Sequence, residues 1–330
     1  MNSSCVNGFA RRSKRAHFPA RFVAVRRRGS LFRPSSDAFV VHLPQRMFGA
    51  LLFPEVFFMD LTLILELSTL GLCTGFLAGL LGIGGGMVLT PFLTIILSHA
   101  GGIPTEHLIH VAIATSMSTI MFTSMSSITA HARHGGVLWR IAFAIAPGIL
   151  VGGIIGAQIT GFLPAFWVAI IFTCFVGYSA TKMFLGKKEG KVGTLPGPAG
   201  LFGAGSVIGI VSALVGAGGG FISVPFLTYF NVKIHQAIGT SAALGFPIAV
   251  AGTIGYVISG WNVETLPGWP TMLGFIHIPA LLSVAVTSIL SAPLGAAVSH
   301  RIDTKKLKRI FACLLYVLAG YMLYKAIYVF

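Results

Sequence analysis

The stretch Gly75–Thr94, GFLAGLLGIGGGMVLTPFLT, returns at Gly209–Thr228 as GIVSALVGAGGGFISVPFLT. Aligned without gaps at an offset of 134, ten of the twenty positions are identical: Gly75, Leu80, Gly82, Gly84, Gly85, Gly86, Pro91, Phe92, Leu93 and Thr94. Unrelated apolar segments seldom share five glycines and a Pro-Phe-Leu-Thr, so the pair reads as an internal duplication. Each copy is an apolar run broken by a triple glycine, with proline five residues after the last glycine. A bilayer tolerates a broken helix only where the freed backbone groups are buried in protein or line a watery cavity. Two such breaks at matching places in two halves point to the binding site of a transporter.

Composition agrees with a membrane setting. Hydrophobic residues make up 55% of the 330, charged residues 9%, and the mean hydropathy is +0.87, far from a soluble domain. Runs long enough to span a bilayer recur along the chain. Lys and Arg number 23 against eight acids, but ten of the basic residues fall within 1–46 and the rest cluster in short loops. Loop charge in a membrane protein sets orientation, so the excess does not indicate nucleic acid; the expected partners are the lipid bilayer and a small-molecule anion. Cys5, Cys73, Cys174 and Cys313 are scattered without pairing or metal spacing and read as small apolar filler.

Residues 1–58 form a basic leader, rich in Arg and Ser up to residue 46. It resembles a targeting segment, but Met59-Asp-Leu-Thr-Leu leads straight into the first span, and a true start at Met59 is the expectation. The first membrane repeat is placed at 59–185, a polar cytoplasmic linker at 186–200 and the second repeat at 201–330. Gly71, Gly75 and Gly79, matched by Gly205, Gly209 and Ala213, form small-residue faces for close helix packing. His110-Val-Ala-Ile-Ala-Thr115-Ser116 matches His235-Gln-Ala-Ile-Gly-Thr240-Ser241, and Gly156-Ala157 matches Gly295-Ala296. The predicted fold is an all-α polytopic membrane protein with two glycine-broken helices and about eight to ten transmembrane segments. There are five segments per half, and the short pieces after the glycines either span or re-enter.

Orientation follows from the loops. Arg133 and Arg140, then Lys182, Lys187, Lys188 and Lys191, then Arg301, Lys305, Lys306, Lys308 and Arg309 mark three cytoplasmic loops. The loops near 99–106, 158–165 and 260–270 carry no Lys or Arg and are placed outside. The span after His110 then runs inward and the span after His235 runs outward, so the halves are antiparallel inverted repeats, as in many secondary transporters. This puts the start of the first span outside, in conflict with the basic leader unless that leader is absent or removed.

In a helix starting at Gly84–Gly86 the first amides lack intrahelical partners. With the positive end of the helix dipole they attract an anion. Gly84, Gly85, Gly86, Gly218, Gly219 and Gly220 are therefore candidate substrate-binding residues. The repeated Thr115, Ser116, Thr240 and Ser241 join them as uncharged hydroxyl donors. Ser118, Thr119, Thr123, Ser124, Ser126, Ser127 and Thr129 crowd the same helix as the first pair, and most are expected to bond back to their own helix or to a neighbour. His110 and His235 repeat near span boundaries and are candidates for proton coupling or for helix-start placement. His131 and His277 have no matched partner.

The absences narrow the reading. Glu66 is the only acid well inside an apolar run, so no buried carboxylate pair suggests cation transport. The glycine run fits neither a P-loop nor G-x-G-x-x-G. No nucleophile with its base, metal-ligand cluster or cofactor motif is visible, and the protein is not read as an enzyme. The duplicated G-x-G-G-G with its trailing P-F-L, the His/Thr-Ser helix and the basic loops resemble the TauE/SafE family of sulfite and organosulfonate exporters, over about residues 60–328. The resemblance implies export of small sulfur oxyanions across the cell (inner) membrane. The family's glycine motif falls on Gly82, Gly84, Gly85 and Gly86 and on Gly216, Gly218, Gly219 and Gly220. The leader is a departure from the family pattern.

Overall fold

The computed structural model describes residues 61–81, 85–133, 135–185, 194–263, 266, 271–299 and 304–330. The leader and part of the predicted linker lie outside the described residues. Ten helices are present among the described residues: α1 (Leu61–Leu81), α2 (Gly86–Ala100), α3 (Thr105–Arg133), α4 (Trp139–Phe162), α5 (Ala165–Leu185), α6 (Pro198–Val215), α7 (Gly220–Tyr229), α8 (Ile234–Gly260), α9 (Ile278–Ser299) and α10 (Thr304–Tyr328). A short hairpin of β1 (Met272–Leu273) and β2 (Ile276–His277) precedes α9. Eight of the helices are long and apolar enough to cross a membrane; α2 and α7, at 15 and 10 residues, are not. The protein is a multi-pass membrane protein of the all-α class.

The helices differ in how much they show to lipid. In α3 83% of the most apolar window is buried, in α8 61%, and in the other six at most 44%, so α3 and α8 form the centre. Leu65, Phe143, Leu150, Leu282, Leu294 and Val317 are exposed on the surrounding helices, where a bilayer takes the place of a core. Trp139, Trp167 and Trp261 are exposed at helix ends, the placement of an interfacial aromatic belt.

Small residues set the closest contacts. Gly71, Gly75 and Gly79 of α1 lie in turn against Val284 with Thr287, Ser288 with Ser291, and Ala292 with Ala296 of α9. Gly148, Gly152 and Gly156 of α4 lie in turn against Phe202, Ser206 and Ile210 of α6. Both pairs run in the same direction, and they are the most extensively packed pairs in the molecule. At Gly71, Gly79, Gly148 and Gly152 an added Cβ would meet a facing backbone oxygen, which cannot yield as a side chain would. By contrast α3 and α8 run oppositely: Met117 faces Gly252, Ser124 faces Gly245, and Gly136, just beyond α3, faces Gly239. The first helix of each half thus packs on the fourth helix of the other half. The two third helices cross antiparallel at the centre.

Candidate functional site

The glycine breaks end in the same geometry. Gly85 caps α2 at φ 70, ψ −13, and Gly219 caps α7 at φ 75, ψ −12. This left-handed conformation is open to glycine and costly for other L-residues, and it turns the chain directly into a half-helix. The Gly85 carbonyl accepts the N–H of Val88 and Leu89, and the Gly219 carbonyl accepts that of Ile222 and Ser223. The amides of Gly86, Met87, Gly220 and Phe221 have no backbone acceptor among the described residues, as expected for a helix start. Pro91 and Pro225 lie inside the half-helices and remove the usual donor to the carbonyls four residues earlier. Residues 82–84, Gly84 among them, lie outside the described residues.

The breaks abut. A Cβ on Gly86 would strike the carbonyl oxygen of Gly216, and one on Gly216 would sit 2.8 Å from Thr90 Oγ1. Gly216 itself ends α6 in the left-handed conformation, with Ala217 N–H reaching back to Ser212 O at 3.0 Å, a Schellman-type stop.

The repeated hydroxyls divide into two kinds. Thr115 Oγ1 accepts the N–H of His277 at 3.0 Å, and Thr240 Oγ1 accepts the N–H of Leu138 at 2.9 Å. Leu138 and His277 are the residues just before α4 and α9, so the two threonines do the same work in each half: each holds the entry of the fourth helix. Ser116 and Ser241 are at the breaks. Ser116 Oγ donates to Gly216 O at 3.3 Å, and Ser241 Oγ is 2.7 Å from Ser223 Oγ, which donates to Gly219 O at 2.9 Å. Both serines are fully buried.

The repeated histidines part company. His110 is buried, with Nε2 at 3.1 Å from Thr160 O and 3.0 Å from Leu163 O at the end of α4, and its ring stacks on Phe275. Its Nε2 therefore carries the proton. His235 is exposed at the start of α8. The two are not structural equivalents, and neither lies among the residues of the breaks.

Beside the second break lies a cavity of about 10 Å³, room for about one water. It is lined by Ala78, Thr123, Ser124, Ser127, Gly218, Ser241, Ala242 and Gly245. Thr123 and Ser124 donate to carbonyls of their own helix. Ser127 Oγ is buried and has no hydrogen-bond partner. The cavity lies toward the end where α3 finishes at Arg133 and α8 begins beyond Lys233. Ser127, Ser223 and Ser212 lie beside the second break but are passed over by repeat-matching, because their counterparts are Gly252, Leu89 and Ala78. The signal for Ser127 is its four-residue spacing from Thr123 within the hydroxyl run, which puts both on one helix face. Among the described residues no group of His, Cys, Asp or Glu is placed to hold a metal.

Comparison with known proteins agrees with this architecture. A probable membrane transporter protein of Haemophilus influenzae is 37% identical over 265 residues, covering 80% of this chain and 99% of that one. One of Methanocaldococcus jannaschii is 28% identical over 80% of this chain and 96% of its own length, and one of Bacillus subtilis, YdhB, is 27% identical over 74% and 93%. No solved structure matches the chain. The family model described as sulfite exporter TauE/SafE matches residues 67–322: with its duplicated glycine breaks and eight membrane-length helices, the chain belongs to the TauE/SafE family of membrane proteins.

Proposed function

We propose that the protein is a secondary transporter of the cell (inner) membrane that exports a small anion, sulfite or an organosulfonate, from the cytoplasm. The observation that carries this reading is the abutment of the two glycine breaks, each followed by a half-helix that a left-handed glycine starts and whose first amides have no backbone acceptor among the described residues. The N-termini of discontinuous helices suit an anionic group. Gly85, Gly86, Gly218, Gly219 and Gly220, with Ser116 and Ser241, form the site; Gly84 belongs to it by its match to Gly218. The antiparallel crossing of α3 and α8, and the reciprocal packing of α1 on α9 and α6 on α4, support inverted halves whose rocking alternates access. The name of the matched family supports a sulfur oxyanion as substrate.

Membrane potential is sufficient drive. An anion leaving a cell that is negative inside gains about 2.3 kcal/mol per charge per 100 mV, more than the roughly 1.4 kcal/mol of a tenfold gradient. The test is efflux of labelled sulfite, taurine, sulfoacetate and thiosulfate from proteoliposomes under a potassium–valinomycin potential without a pH gradient. Voltage-driven efflux of at least one is expected. Efflux that ignores voltage and follows a pH gradient would replace this scheme with proton coupling, and His110 would become the first residue to change.

A further inference from the structure

The cavity beside α7 is one-sided. Its hydroxyls come from α3 (Thr123, Ser124, Ser127) and Ser241, while the matching positions across the crossing are Ile248, Ala249, Gly252 and Ser116. Ser127 Oγ is 4% exposed and partnerless. A buried hydroxyl without a partner in a membrane interior is costly, which marks Ser127 as a donor that a ligand oxygen can satisfy. Thr123 and Ser124 have already given their protons to Thr119 O and Met121 O, which leaves Ser127 as the α3 donor that faces Gly218 and the start of α7.

Charge sets the ligand class. No Lys, Arg or His lines the cavity. The positive contribution comes from the N-termini of α7 and of α2, which abuts the same crossing, at about half an elementary charge each. Together they neutralise roughly one negative charge. A dianion would keep about one charge uncompensated in a low-dielectric site, at heavy cost.

We propose that Ser127, opposite the Gly218–Gly220 break, is the specificity-determining hydroxyl of a small lobe that takes one oxygen of a singly charged oxyanion held at its mouth and rejects dianions. This rests on the anion-transport reading above and says which part of the site holds the anion. Methanesulfonate and sulfate are the probes, because both present tetrahedral sulfur oxygens but carry one charge and two.

The full chain is reconstituted and efflux of each probe is measured, with melting temperature in detergent as a second readout. The wild type should favour methanesulfonate over sulfate in kcat/KM by on the order of a hundredfold. S127A should raise KM for methanesulfonate roughly tenfold or more with kcat little changed. Its ligand-free melting temperature should equal or exceed the wild type's, since the removed hydroxyl bonds to nothing. S127T should restore KM, and methanesulfonate should raise the melting temperature of the wild type and S127T but not of S127A. An unchanged KM and an unchanged methanesulfonate stabilisation in S127A, or equal handling of sulfate, overturns the lobe while leaving anion transport standing. A wild type that neither moves nor is stabilised by either probe overturns both.

Discussion

The two copies of the glycine break share a backbone but not a lining. Around the second break, toward the Arg133 end of α3, stand Thr123, Ala242, Gly245 and Ser127, with Gly136 in the loop beyond. The matching positions on the other side of the crossing are Ile248, Met117, Ile120 and Gly252, with Phe275 in the equivalent loop. Gly135 and Gly274 turn those two loops at φ 66 and φ 58. Yet Gly136 has no side chain where Phe275 is buried against His110 and Gly260. Ile120 closes on Gly86, Ile248 on Gly219, and Met117 on Gly252 at 3.2 Å from its Cβ position. One side is small and hydroxylated, the other filled with apolar side chains. Symmetry builds the crossing, and the side chains make its two faces unequal.

The backbone shared by both copies should be the least forgiving part. Gly86→Val places a branched side chain against the Gly216 carbonyl, whose position is fixed by the α6 stop. We expect no measurable efflux from Gly86→Val in proteoliposomes, with insertion into the membrane retained. Gly219→Val should also fail, because it adds a strained left-handed conformation to a clash with Ile248. Wild-type flux in either inserted variant would remove the breaks from the site.

The lining can be tested by copying one side onto the other. In a background without Cys5, Cys73, Cys174 and Cys313, Ser127→Cys should react with a membrane-impermeant thiol reagent only from the cytoplasmic face. Adding Met117→Ala and Phe275→Gly, the residues of the second break, should make it react from both faces. Labelling from both faces before those changes, or from one face after them, would mean that the apolar residues are not the seal.

Most of the architecture was legible in the sequence because it rests on backbone rules. The glycine triplets, the prolines after them and the small-residue faces left strong signals, and α1, α4, α6 and α9 pack through those faces. The site was less legible. Matching the repeats selected Thr115 with Thr240 and Ser116 with Ser241 together, but only contact with Leu138 and His277 shows that the threonines brace helix entries. It also paired His110 with His235, which are buried and exposed respectively. Ser127 and Ser223 were hidden because repetition marks what two halves share, whereas a lining that differs between two faces is by nature unrepeated.

The threonines give the comparison a matched control. Thr115→Val and Thr240→Val each leave a part-buried helix-entry N–H without its acceptor, at a cost of about 1–3 kcal/mol. The losses in unfolding free energy should be alike, since the two bonds are equivalent in geometry. His110→Ala and His235→Ala should instead diverge: removing His110 takes the donor from Leu163 O, one of two donors from Thr160 O, and the ring stacked on Phe275, while removing an exposed His235 should stay within about 0.5 kcal/mol. Thermal or denaturant unfolding in detergent decides both. Unequal threonines or equal histidines would break the correspondence drawn between the halves.

The smallest expected difference lies at the two helix entries themselves. Leu138 offers α4 no side-chain cap, whereas His277 Nδ1 accepts the N–H of Ala280 at 3.2 Å in the first turn of α9. Burial holds the His277 imidazole neutral, lowering its pKa from 6.5 to about 4, and neutrality is what leaves Nδ1 free to accept. Because the folded pKa lies below the unfolded one, the unfolded chain binds the proton more readily between those values. Stability from this group is therefore complete above about pH 6.5 and falls as pH drops toward about 4, by at most about 1.4 kcal/mol per unit. Near pH 6 the effect amounts to a fraction of that. His277→Asn keeps an acceptor that can cap the helix but cannot titrate. Melting temperatures of the wild type and His277→Asn at pH 7.5, 6 and 5 should start close together and separate on acidification, with the wild type falling further. Other histidines titrate in both proteins, so only the difference carries the inference. Parallel curves would mean that His277 is not the group through which acid loosens the entry to α9.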